Sequence, residues 1–232
     1  MNDSPSFADT GDRVLVWDLP TRVFHWLLAA AFLMAWITGE THGWMVAHVV
    51  LGYTMLGLIA FRLLWGLIGT RYARFRSFAF GPRAVAAYLG SLLTARPRHY
   101  LGHNPAGSWA IYGLLVASLL AGASGWLALQ RPDGGWLEEV HEAFASVLLA
   151  LVLVHVAGVV LASLRHHENL VRAMVDGRKR GTPSKAAQGA LAPVAIVLVI
   201  AVIAFWVTAM RGDLPALTQA AATRAQQSVD DD

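Results

Sequence analysis

Five long apolar runs decide what this 232-residue chain can fold into. They occupy positions 23–39, 44–69, 108–129, 140–164 and 191–210. A bilayer core demands about 20 apolar residues per helix, and each run is close to that length. Composition agrees: 56% of residues are hydrophobic and 14% charged, against about 25% charged in a soluble domain. That shortage of charge excludes a disordered chain, and no basic block interleaved with aromatics suggests nucleic-acid binding. Cysteine is absent, so disulfides, thiolate nucleophiles and iron–sulfur ligation are excluded. The N-terminus carries Asp3, Asp9 and Asp12 where a signal peptide has a basic region, so the first span is expected to be retained. The expected fold is an all-α membrane protein.

Charge asymmetry sets the expected topology. The connection between spans two and three carries Arg71, Arg74, Arg76, Arg83, Arg96 and Arg98. After span four come Arg165, Arg172, Arg178, Lys179, Arg180 and Lys185. The other connections hold Glu40 in one, and Arg131, Asp133, Glu138 and Glu139 in the other. Basic segments stay in the cytoplasm, which puts the N-terminus inside and the C-terminus outside. Trp17, Trp44, Trp109 and Trp136 lie near span ends, where anchoring at the interface is the plain reading.

Ionisable side chains inside a membrane are costly and mark function by default. Of nine histidines, His25, His48, His141 and His155 fall within spans. His141 and His155 are 14 residues apart, close to four helical turns, so they share a face about 21 Å apart along the axis. With the topology above, His48 and His141 lie toward the outside, and His25 and His155 toward the inside. Two same-depth pairs on facing helices match bis-imidazole ligation of two haems, which b-type haem accepts without covalent attachment. One mismatch remains: His25 is three residues from Arg22 and His155 ten from Arg165. Depth then requires an earlier start for span one or helix tilt, and tilt is the expectation. A proton relay is the sharper competitor, yet the spans lack a central Asp or Glu. Zinc is weaker, since each depth offers two histidines where a structural site wants four ligands.

Arg62 lies 14 residues after His48 on the same helical face. It could pair with a haem propionate, as could Arg22; snorkelling to headgroups explains Arg62 equally well and Arg22 somewhat better. Gly52, Gly113, Gly122, Gly125 and Gly158 would admit a flat macrocycle, or simply pack helices. His99, His103, His166 and His167 read as surface residues, and His42 as a weak substitute for His48.

The chain resembles the prokaryotic cytochrome b561 family, which includes b-type cytochrome subunits of nickel–iron hydrogenases. The likeness rests on the stretch from Val16 through Asp18, Pro20 and Arg22 to His25-Trp26, and on His48 with Gly52-Tyr53. It continues in Gly102-His103-Asn104-Pro105, Glu139-Val140-His141-Glu142, the His141/His155 pair and Glu168-Asn169-Leu170 through Gly177-Arg178-Lys179-Arg180. The resemblance implies a four-helix di-haem bundle over 13–180, with His25, His48, His141 and His155 as axial ligands and the fifth span as an appendage. Around it the sequence suggests a disordered segment at 1–12, a cytoplasmic linker at 181–190, a fifth helix at 191–210 and a disordered periplasmic tail at 211–232.

The resemblance also implies electron transfer in the bacterial inner membrane, between the quinone pool (ubiquinone or menaquinone) and a periplasmic redox partner. That partner would be a c-type cytochrome or a hydrogenase-like complex. The alternative is a stand-alone oxidoreductase, such as a superoxide oxidase or ferric reductase coupled to quinone. A quinone site is expected beside the inner pair, near Arg22 and Arg62. The partner is expected over the outer acids Glu40, Asp133, Glu138, Glu139 and Glu142. Oligomeric state is open.

Overall fold

Asp18 sets where the first helix begins. In the computed structural model its carboxylate accepts the backbone N–H of Thr21 at 2.7 Å, an N-cap that satisfies one of the unpaired amides of the first turn. Pro20, whose missing N–H costs nothing there, follows inside that turn. Helix α1 therefore runs Leu19–Gly39, earlier than its apolar run. The structure describes residues 12–214 apart from 40, 42, 95–96, 132–134, 188 and 190. Asp3, Asp9, Glu40, His42, Arg96, Asp133 and the acidic tail lie outside the described residues.

Five helices are long and apolar enough to cross a membrane among the described residues. They are α1, α2 (Met45–Ile68), α4 (Pro105–Gln130), α5 (Gly135–His166) and α7 (Ala192–Met210). Short helices α3 (Pro82–Leu92) and α6 (Leu170–Asp176) lie in the two longer connections. Asn104 caps α4 through Gly107 N–H and Asn169 caps α6 through Arg172 N–H. Gly177 ends α6 at φ 78°, the left-handed geometry that glycine adopts without a Cβ penalty.

That turn also closes the small sheet. The Gly177 carbonyl accepts from the backbone N–H groups of Val16 and Trp17. Strands β1 (Arg13–Leu15) and β2 (Arg178–Arg180) then pair antiparallel, with Val14 opposite Lys179. Val14, Val16, Trp17 and Ala173 form the core of this cap. Trp17 is thus buried rather than an interfacial anchor, whereas Trp44, Trp109 and Trp136 remain exposed at helix ends. We refer to this as the cap end. The α1–α2 and α4–α5 turns form the opposite, open end.

Helices α1 and α2 pair as one hairpin and α4 and α5 as another, joined along α2 and α4. Helix α7 packs on α1 and α2. Leu198 meets Phe24 and Leu58, and Trp206 Nε1 donates to Thr54 Oγ1 at 3.0 Å. Helix α5 packs along α4 and meets the first hairpin mid-span, where Phe32 and Met55 touch the cluster of Ala117, Ala121 and Leu148.

Candidate functional site

His48 and His141 face one another across the two hairpins near the open end, ring centroids 6.0 Å apart and planes at 83°. Each Nδ1 lies 2.9 Å from a backbone carbonyl, Ala35 for His48 and Ala121 for His141. A carbonyl only accepts, so each Nδ1 carries the proton and each Nε2 keeps its lone pair, the tautomer a metal-binding imidazole needs. Two nitrogen–metal bonds of about 2 Å each, plus about 1 Å from each nitrogen to its ring centre, sum to about 6 Å. The observed separation matches that span. Two glycines leave room for the rings. A Cβ on Gly125 would sit 2.9 Å from His141 Cε1 and Nδ1, and one on Gly39 would sit 3.1 Å from His48 Cε1.

The second pair belongs to the cap side of the bundle. His155 acts electrostatically on His25 and on His103, which gathers the three imidazoles into one region. The earlier start of α1 supplies one of the two ways in which His25 can reach the depth of His155. Its Nδ1 is enclosed and has no hydrogen-bond partner, and its ring stands edge-on to Trp26 at 5.1 Å.

The two arginines divide. Arg62 is 4% exposed, so it does not snorkel. Its guanidinium lies 4.8 Å from the Phe75 ring centroid, with Nη1 unpartnered. Arg22 Nη1 donates to the Val175 carbonyl and so helps hold α6 against α1, a task shared by Trp26 Nε1 on Met174. Its Nε is enclosed and unpartnered.

His103 departs from the surface expectation. It sits between Trp17 (4.5 Å) and Phe78 (4.4 Å), its Nδ1 shut off from solvent and without a partner. Burial, then the positive Arg62 and Lys179 and the neighbouring His155, push its pKa down to about 3. A histidine beside Gly102 and Asn104-Pro105 gave no sign of burial because its shielding comes from the distant Trp17 and Phe78.

A buried donor or acceptor left unmade costs about 1–3 kcal/mol. His25 Nδ1, Arg22 Nε, Arg62 Nη1 and His103 Nδ1 are four such atoms toward the cap side. Imidazole lone pairs and guanidinium N–H groups without a partner are the donor set that an iron porphyrin with anionic propionates requires. The residues present therefore fit haem. The glycines sort likewise. Gly125 is fixed by His141, and Gly122 by helix packing, since a Cβ there would strike the Leu56 side chain. Gly52 and Gly158 have nothing within 4 Å, and Gly113 makes ordinary contact with Leu151.

The cap holds a further charged cluster that the sequence did not reveal. Lys179, 5% exposed, donates to the Tyr100 carbonyl at 3.0 Å and pairs with Glu168 at 3.4 Å. Glu168 also accepts from Arg180 N–H and contacts His99 Nε2. Burial alone would raise its pKa. The His99 hydrogen bond, the Lys179 ammonium and the Arg180 amide outweigh that and hold it at about 2.

The sequence model of the prokaryotic cytochrome b561 family matches residues 16–177. Curated relatives are similar in extent. A probable Ni/Fe-hydrogenase B-type cytochrome subunit of Rhizobium leguminosarum bv. viciae is 22% identical over 213 residues, covering 72% of this chain and 88% of the relative. Proteins of the same description from Rhodobacter capsulatus and Azotobacter vinelandii are 21% and 23% identical, covering 81% and 87% of the relatives and 72% and 71% of this chain. No solved structure matches the chain. The family match ends at Gly177, so α7 lies beyond it. All four intramembrane histidines and both arginines fall inside it, and the chain belongs to the prokaryotic cytochrome b561 family of multi-pass membrane proteins that transfer electrons through haem b.

Proposed function

We propose that this chain carries two b haems, one between His48 and His141 and one between His25 and His155. It relays electrons through them between quinone and a redox partner beyond the open end. The observation that carries the reading is the His48–His141 geometry: rings 6.0 Å apart, both Nδ1–H groups committed to carbonyls. Haem iron supplies the one-electron chemistry; the protein fixes the imidazole tautomers and offers Arg22 and Arg62 as counter-charges. The arginine-rich cap would then be cytoplasmic and the open end periplasmic, in a bacterial inner membrane.

Quinone (ubiquinone or menaquinone) would be handled beside the inner pair, near Arg22 and Arg62. A periplasmic c-type cytochrome or a hydrogenase-like complex would dock over the exposed Glu139 and Glu142. The relatives' description as hydrogenase cytochrome subunits supports a protein partner. Steering by this acidic face predicts electron transfer that slows as salt rises.

Haem stoichiometry tests the core of the reading. Purified protein should give two haems per chain by pyridine haemochrome, both low-spin. His141→Ala should lose one centre and His155→Ala the other. Retention of both centres in either variant would refute the pairing. A quinone analogue that perturbs only the haem of the His48–His141 pair would move the quinone site to the open end.

A further inference from the structure

Where α2 ends and α7 begins, a groove of about 780 Å³ opens at the rim of the bundle. Arg71, Arg74, Arg76 and Ser184 line it, and Ile68 and Leu191 form its apolar edge. The three arginines come from one short stretch. The capped end of α2 and a 3-10 turn at Phe75–Ser77 fold that stretch back on itself. None of the three forms a salt bridge among the described residues, and Arg74 Nε is enclosed without a hydrogen-bond partner. Thr70, also in the wall, donates its hydroxyl to Asp18, which is 1% exposed and fully committed to Trp65, Thr70 and the α1 cap. No carboxylate is among the residues that line the groove.

The apolar edge says where such a site operates. Ile68 is 77% exposed and Leu191 40% exposed, and they stand at the ends of two membrane-spanning helices. Arginines beside exposed aliphatics at that level sit at the boundary between headgroups and acyl chains. A soluble anion would satisfy the guanidinium groups but gain nothing from the aliphatic edge. A lipid satisfies both.

We propose that this groove binds the phosphodiester headgroup of an anionic phospholipid, with an acyl chain against the Ile68–Leu191 edge. The lipid would bridge α2, inside the span that the family model matches, to α7, which lies beyond it. It would brace the junction that Trp206 and Thr54 hold mid-membrane.

The test uses the full chain, purified with its haem, and native mass spectrometry of lipid adducts. Phosphatidylglycerol should bind in preference to phosphatidylcholine. Arg71→Gln with Arg74→Gln should weaken that binding by about 25-fold, at about five-fold per arginine near a membrane surface. The exposed Arg76→Gln alone should weaken it about five-fold, which keeps the proposal testable if the double variant does not fold. Arg131→Gln, at the open end, should leave it unchanged. Equal binding of the two lipids would overturn the proposal, as would unchanged binding in Arg76→Gln. Displacement of phosphatidylglycerol by inorganic phosphate at matching concentrations would overturn the lipid as source.

Discussion

Substituting Gly125 by alanine isolates the imidazole geometry from everything else in the bundle. The new Cβ would stand 2.9 Å from two atoms of the His141 ring, about 0.5 Å inside ordinary van der Waals contact. Yielding by that distance stretches the 2.9 Å bond from His141 Nδ1 to the Ala121 carbonyl beyond useful length. Loss of such an outer hydrogen bond typically weakens metal binding about 10–100-fold, or about 1.4–2.8 kcal/mol. The helix itself gains about 1 kcal/mol from Gly→Ala, so the fold should persist while one haem loosens. Haem transfer to excess apomyoglobin, followed by absorbance, reads this directly: one of two phases should accelerate about 10–100-fold. Gly158→Ala, with nothing within 4 Å, should change neither phase. Gly39→Ala, at 3.1 Å from His48 Cε1, should show a weaker form of the Gly125 effect. Wild-type kinetics in Gly125→Ala, or equal damage from Gly158→Ala, would refute the reasoning.

Asp18→Ala removes a helix cap and strips Trp65 Nε1 and Thr70 Oγ1 of their acceptor; thermal or denaturant unfolding should show a loss of about 3 kcal/mol. Glu168→Gln bears on pH. Its native pKa of about 2 lies below the ordinary 4.5, so its stabilisation is fully present above about pH 4.5 and lost as pH falls toward 2. The variant should therefore be less stable at pH 7 by about 2 kcal/mol, after allowance for solvent screening, and the gap should close on acidification when followed by circular dichroism. Trp206→Phe and Thr54→Val should each weaken the docking of α7. A double-mutant cycle on unfolding should show coupling of about 0.5–1 kcal/mol, and zero coupling would remove their hydrogen bond from the account.

The membrane fold was legible because bilayer physics writes it into local patterns, and the four histidines stood out as candidates for the same reason. Apolar runs must be about 20 residues long, and an ionisable residue inside one stands out. The His141/His155 spacing needed only helical period to place both on one face of α5, and His48 and His141 face one another near the open end. Hidden information was non-local. Nothing near Lys179 announces that it will be buried against Glu168 and Tyr100. Strand β2 pairs with a segment more than 160 residues earlier. The part of the cap that could have been read is its punctuation. Asp18 three residues before Thr21, Asn104 before Pro105, and Asn169 with Gly177 mark helix starts and a stop. Those signals would have moved the start of α1 to Leu19 and revealed α6.

The packing between the two histidine levels carries a mechanistic consequence. Phe32, Met55, Phe144 and Leu148 fill the middle of the bundle with apolar side chains. No Asp, Glu, Lys, Arg or His lies between 25 and 39 on α1, between 48 and 62 on α2, between 142 and 155 on α5, or anywhere in α4 and α7. A proton crossing that layer would meet no Asp, Glu, Lys, Arg or His to carry it and would face a high cost of charge in hydrocarbon. An electron moving between the proposed haem sites needs neither. Any proton taken up or released with it must therefore be exchanged at the two ends, where the cap and the open-end acids differ in sign. On the proposed two-haem reading, electron and proton would therefore take separate paths.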